Sequence, residues 1–250
     1  MVWHRQVSPA FLWPSIIVSL ETGRADPDNC TDTQVAQTMK LILSDHPEVN
    51  GLLFFHFDAW IDPMGWGSQN YDNIWYPSVT TDNELDLKRN FGPPFVCMSD
   101  TKRYPDWWGW EKNWQQNILS ALATVSSEEF PGKWYRNQWC LGWSDIYFVP
   151  RRFFKDYISL AETFAIHTAF QELAIPTMLN IIDQSRRGPA MRPVLDRFGD
   201  CWGACCSERP LMDIVLSARC GHKLDYLDGE VTPAFYDKLD NMAAMLHTPT

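Results

Sequence analysis

The chain predicts an α/β fold, and three patterns carry that expectation. Ser15 to Leu20 reads as a buried strand, apolar residues at helical spacing follow it, and a second apolar run, Gly51 to Phe55, comes after a turn. At 250 residues the chain can bury a sizeable core and suits a single domain over 1–250. Hydrophobic residues make up 45% and charged residues 21%, a balance that separates it from disordered chains, so it should fold.

Thr31 or Asp32 can cap a helix running to about Ser44, with Val35, Met39, Ile42 and Leu43 on one face and an end before Pro47. Gly51 to Phe55 is continuously apolar, as a strand covered on both faces requires, and it leads straight into His56-Phe57-Asp58. Residues 62–94 are rich in Gly, Pro, Asn, Asp and aromatics without a sustained period, which predicts a long surface excursion beside a cleft. Phe95 to Met98 reads as a short strand. Trp110 to Val125 reads as a helix on the spacing of Trp114, Ile118, Leu119 and Leu122, and Trp139 to Val149 as a turn and strand. Helices are expected over Arg152 to Ala165 and over Phe170 to Asp183, with Pro176 kinking the second or setting its first turn. Residues 186–206 look irregular, and two further helices, 208–219 and 232–246, complete the chain, the last opening on Thr232-Pro233. There is no internal repeat and no low-complexity linker.

The formal net charge of -10, with no stripe of Lys and Arg to offset it, argues against a nucleic-acid partner. A substrate with two phosphates could still bind where a divalent cation screens local carboxylates, which directs attention to metal ligands. Trp occurs 13 times, and indoles either fill the core or stack on the C–H faces of sugars; the cluster Trp107, Trp108, Trp110, Trp114 is hard to bury completely. The seven Cys make an odd number without a C-x-x-C pair, so ordinary thiols are expected. Cys201, Cys205, Cys206 and Cys220 near His222 leave a disulfide or an irregular zinc site as the alternatives. Asn29-Cys30-Thr31 is a glycosylation sequon and points to a secretory compartment. The stretch AFLWPSIIVSL is too short to span a bilayer and carries Pro14, so no transmembrane segment is expected in this chain.

In GLLFFHFDAWIDP, His56 and Asp58 stand two apart, so in extended geometry both side chains leave one side of a strand end and can share a cation. Imidazole and carboxylate together suit Mn²⁺, while Mg²⁺ prefers oxygen ligands and retained waters. The alternative is an Asp capping a loop beside a histidine hydrogen-bonded in place.

The run Leu52-Leu53-Phe54-Phe55-His56-Phe57-Asp58 resembles the metal strand of GT-A type glycosyltransferases, whose Asp-x-Asp ends on the acid that binds the cation of the donor diphosphate. His56 stands where the first acid of that motif is expected, and Asp58 matches the last. The resemblance extends over roughly residues 30–230. It implies a GT-A-like mixed, mostly parallel sheet flanked by helices, with a donor and metal half over 1–100 and an acceptor half with C-terminal helices over 101–250. One convincing strand precedes residue 51 where such domains have two or more strand-helix units, so the fold reads as abbreviated at its N-terminus.

By the same resemblance, WCLGWSDIYFVPRRFF is similar to an acceptor-side element, with Trp143, Ser144 and Asp145 lining the cleft and Asp145 among the catalytic residues; a Gly turn satisfied by Asp145 is the plain alternative. Glu172 in FQELAIPTML corresponds to the carboxylate base of inverting members, or else it is a first-turn acid favoured by the helix dipole. His222 is similar to a late histidine that some members add to the cation, with His167 as the alternative. Trp108 and Trp110 are expected to contact sugar, and Arg186 beside Arg187 to meet phosphate.

The implied activity is transfer of a sugar from a nucleotide-sugar donor to a glycan or other hydroxyl acceptor, assisted by Mn²⁺ or Mg²⁺. The implied location is the Golgi lumen or wider secretory pathway if an anchor lies upstream, and the cytoplasm otherwise. Two other readings fit the sequence: a catalytically inactive glycan-binding or scaffold module using its Trp-rich segments, and a metal-dependent hydrolase using His56, Asp58 and His222.

Overall fold

The structure, a computed structural model, describes residues 15–20, 31–56, 58–62, 69–77, 95–103, 107, 110, 112–131, 137–142, 144–187, 192–198, 201–202 and 209–246. Strand β1 (Ser15–Leu20) leads to helix α1 (Thr31–Asp45), then to β2 (Val49–Phe55), β3 (Trp60–Ile61), β4 (Ile74–Pro77) and β5 (Val96–Met98). Helix α2 (Trp114–Thr124), β6 (Trp139–Leu141), β7 (Ile146–Pro150), α3 (Phe154–Ile166) and α4 (Gln171–Arg186) follow. The chain continues through β8 (Leu195–Phe198), β9 (Cys201–Trp202), α5 (Met212–Ser217), β10 (Cys220–Gly221) and α6 (Val231–Leu246). The protein is thus mixed α/β, the class its sequence predicts.

The main sheet has the order β1-β2-β7-β4-β8. Pairing is parallel between β1 and β2 and between β4 and β8, while β7 is antiparallel to both β2 and β4, so within this sheet β7 alone runs against the rest. Side chains alternate across the pleat. Leu52 and Phe54 of β2, Tyr147 and Val149 of β7 and Ile74 and Tyr76 of β4 enter one core with Val35, Met39 and Ile42 of α1 and the buried residues of α3 and α4. Leu53, Trp75, Ile146 and Phe148 point to the other face, where Cys201 and Cys220 cover them. Cover on both faces is why β2 has no polar alternation.

A second sheet, β3-β10-β9, packs over that far face, and a third core of Trp60, Val215, Leu224 and Phe235 joins it to α5 and α6. These strands are two residues long, so other links must hold their register. The Cys201–Cys220 disulfide does so across β9 and β10. Gly221 lies under the Trp60 indole, where a Cβ would collide with the ring. A second disulfide, Cys97–Cys140, crosses the β5-β6 pair. The expectation of ordinary thiols is therefore corrected for these four cysteines, and as disulfides Cys201 and Cys220 have no thiolate to offer zinc. Cys30, Cys205 and Cys206 lie outside the described residues.

Several boundaries move. Strand β4 lies inside the stretch expected to be irregular between 62 and 94, and β8 and β9 inside 186–206. Their partners, not a local period, define them. The helix expected from Trp110 starts at Trp114, after Asn113 turns into the left-handed region at φ 58, and the helix expected over 208–219 contracts to α5 behind an extended Leu211. Pro176 lies inside α4 and not in its first turn. Among the described residues no helix is long and apolar enough to cross a membrane.

Candidate metal centre

The site forms where β2 ends. The β2-β7 register sets Phe55 opposite Ile146, and one residue further the ladder closes with the His56 N–H donating to the Asp145 carbonyl at 2.7 Å. That bond brings two chemically active residues together from positions 89 apart in sequence. The chain then turns, the Ala59 N–H donating to the His56 carbonyl at 3.0 Å, and enters β3. Because β3 pairs with β10, Gly221 faces Trp60, the Leu224 N–H donates to the Asp58 carbonyl at 2.7 Å, and His222 arrives beside Asp58. The His222 N–H is held in turn by the Trp202 carbonyl at 3.2 Å.

The four side chains meet at short range. Asp58 Oδ1 lies 2.5 Å from His56 Nδ1 and 3.0 Å from His222 Nε2, and His222 Nε2 lies 3.3 Å from Asp145 Oδ1. His56, Asp145 and His222 offer ligand atoms all within 4.8 Å of one another. Lys223 Nζ approaches the other Asp58 oxygen at 3.5 Å. The Asp58 carboxylate thus meets side chains of both sheets. Burial acts to raise its pKa, but the hydrogen bonds and charge of His222 and His56 outweigh burial and hold it well below the usual carboxylate range.

A second carboxyl stands near. Pro176 has no N–H to give to the carbonyl four residues earlier, and that carbonyl belongs to Glu172. It accepts instead from the Gly142 N–H at 3.1 Å, while the Thr177 hydroxyl accepts from the Cys140 N–H at 2.8 Å and donates back to its carbonyl at 3.2 Å. The missing helical donor therefore docks the start of α4 on the segment that leads to Asp145. Burial, helped by the charge of Asp145, pushes the Glu172 carboxyl up to about 8; a hydrogen bond from Trp107 and the charge of Lys223 pull the other way. The fully buried Tyr76 is raised well above a normal phenol by burial, then by Asp145 and Glu172, and a Cβ on Gly142 would come within 2.8 Å of its hydroxyl.

Of the residues singled out from the sequence, His56, Asp58, Asp145 and His222 are brought together, Glu172 lies within electrostatic reach of Asp145, and Ser144 is buried next to Asp145 in the chain. Trp110 packs edge-on against Trp107 with ring centroids 4.5 Å apart. Trp108 and Trp143 lie outside the described residues. Arg186 is a correction: its guanidinium grips Asp156 through two nitrogens at 3.0 and 2.8 Å and donates to the Glu129 carbonyl at 2.9 Å, so it ties α3 to α4 instead of facing the site. Arg187 pairs with Asp183, and His167 sits at the end of α3 beside Thr124. Lys223 and Tyr76 were not picked out by sequence reasoning, and Trp107 only as a member of a Trp cluster; for Lys223 the adjacent His222 was the available signal.

Comparison of the chain with protein-family models, with curated proteins and with solved structures returns no match.

Proposed function

We propose that this protein is a metal-assisted glycosyltransferase of the GT-A kind, taking a nucleotide-sugar donor and a hydroxyl acceptor. The observation that carries the reading is the convergence of His56, Asp58, Asp145 and His222 at the end of a buried strand, with a carboxyl of raised pKa beside them. Two imidazoles and the Asp145 carboxylate, with ligand atoms all within 4.8 Å of one another, make a donor set that fits Mn²⁺ better than Mg²⁺. What a bound cation contributes in such a site is positive charge for the departing diphosphate.

The chain's own residues have distinct parts in this reading. Asp58, kept ionised, orients both imidazoles, as carboxylates beside metal-bound histidines do. Glu172 receives the acceptor proton, since a base is most effective with a pKa close to the working pH. The disulfides favour an oxidising compartment, and we place the protein in the lumen of the secretory pathway on that ground.

The test is thermal unfolding with Mn²⁺ and a nucleoside diphosphate. Wild type should be stabilised by about 2.7 kcal/mol at a hundredfold excess over Kd, and Asp58→Ala should not respond. Equal responses in both proteins would sink the proposal. A hydrolase is the second reading, favoured by one feature: tertiary structure adds His222 to the His56 and Asp58 pair. It requires release of free product without any acceptor, which a donor-turnover assay with and without acceptor distinguishes.

A further inference from the structure

We infer that Lys223 is the diphosphate-binding cation of this site, donating from its ammonium to the phosphate that carries the leaving oxygen. This rests on the glycosyltransferase reading and adds a ligand contact to it. The first observation is backbone. Lys223 has φ 74, in the left-handed region, one of three non-glycine residues there among the described residues. Asn113 tolerates that region by its chemistry, and Thr168 occupies it at the close of α3, where a helix end turns left-handed. Lys223 has neither reason. A glycine would be the unstrained choice, and strain retained beside a functional cluster is the mark of a side chain wanted in one direction.

The second observation is what that conformation achieves. The residues on either side are pinned, His222 N–H to the Trp202 carbonyl and Leu224 N–H to the Asp58 carbonyl, so residue 223 cannot relax without breaking β10 from its neighbours. The left-handed turn sends the ammonium to Asp58 Oδ2 at 3.5 Å, with the side chain still 36% exposed. Its charge also reaches Glu172. Lys223 therefore stands against Asp58 and within electrostatic reach of the proposed base, in a loose pair that a better anion can take over.

The third observation is charge. The carboxylates of Asp58 and Asp145 already neutralise a divalent cation, so a diphosphate arriving there needs further positive charge. Arg186 and Arg187, the basic pair expected to meet phosphate, are committed to Asp156 and Asp183. Lys223 faces the cluster. As the donor's C1–O bond breaks, the electron pair stays on the phosphate oxygen, the acceptor oxygen bonds to C1, and its proton passes to Glu172. Lys223 keeps its own proton throughout and stabilises the growing charge by a hydrogen bond.

Calorimetric titration of the whole protein with Mn²⁺ alone, then with inorganic pyrophosphate in the presence of Mn²⁺, tests this. Lys223→Gly should unfold at or above the wild-type temperature, bind Mn²⁺ within about threefold of wild type, and lose about tenfold or more in pyrophosphate affinity. Lys223→Asn, which also tolerates the left-handed region, should behave alike, and Lys223→Arg should recover most of the affinity. Unchanged pyrophosphate affinity in both truncations, with wild type binding normally, would leave Lys223 as a mere partner of Asp58 and overturn the inference alone. Failure of wild type to bind Mn²⁺ or pyrophosphate would remove the glycosyltransferase reading as well.

Discussion

The main sheet and the β3-β10-β9 lobe are stabilised in different ways, and the candidate site lies along the seam between them. In the main sheet β2 and β7 pair over five residues and bury apolar side chains on both faces. In the lobe, two-residue strands depend on point fixtures. These are the Cys201–Cys220 disulfide, the Trp60 ring over Gly221, the Tyr226 hydroxyl on the Ala59 carbonyl at 2.9 Å, and Lys238 bridging Asp62 at 3.0 Å and the Leu216 carbonyl at 2.7 Å. The sheet supplies His56, Asp58 and Asp145, and the lobe supplies His222 and Lys223. Global stability should therefore follow the sheet, and metal affinity should follow the lobe.

The strongest way to break that division is to damage the sheet. Phe54→Ala removes a side chain 1% exposed that stacks on Tyr147 with ring centroids 5.0 Å apart, and should cost about 4 kcal/mol in denaturant unfolding. Mn²⁺ affinity of the folded fraction should change little. Removing the lobe's staple with Cys201→Ser and Cys220→Ser together should cost about 3 kcal/mol but lower Mn²⁺ affinity about tenfold or more, because His222 follows Cys220 by two residues. Should the disulfide variant bind Mn²⁺ like wild type, the lobe does not set the site.

Smaller effects sharpen the same contrast from the α4 side. With its carboxyl pushed up to about 8 from an ordinary 4.5, Glu172 holds a proton in the folded protein that the unfolded chain has released across that window. The native state then binds more protons, so stability falls as pH rises from 4.5 to 8, by at most about 1.4 kcal/mol per unit, and levels off above. Metal-free unfolding at pH 5.5 and 7.5 should show the slope in wild type and a shallower one in Glu172→Gln. Thr177→Val, which removes both hydrogen bonds to Cys140, should cost about 1–2 kcal/mol with only a slight effect on Mn²⁺ binding.

Legibility in the sequence followed the range of the forces involved. Helix α1 and strand β2 were readable because apolar spacing is local, and His56 with Asp58 because two-residue spacing fixes a shared side in extended chain. Strand β4 was hidden in a stretch rich in turn residues, and β8, Leu-Asp-Arg-Phe, has no apolar run; each owes its form to its neighbour. The double role of Pro176 was also hidden, since a proline inside a helix reads as a kink until Gly142 is seen to take the carbonyl it leaves. Arg186 shows the converse: a basic residue beside another basic residue and a glycine reads as a phosphate ligand or as a solvated edge, and its pairing with Asp156 makes it a tie between helices.

By itself, then, the sequence determined the α/β class, the strand that ends in His56 and Asp58, and the identities of the late histidine and the two further carboxyls that could join them. Tertiary structure alone decided that these groups meet, which cysteines pair, and that Lys223 rather than Arg186 faces the cluster. The physical reason is that periodicity and spacing act within a few residues along the chain, whereas the β2-β7 register and the β3-β10 pairing set distances between segments that the chain order leaves free.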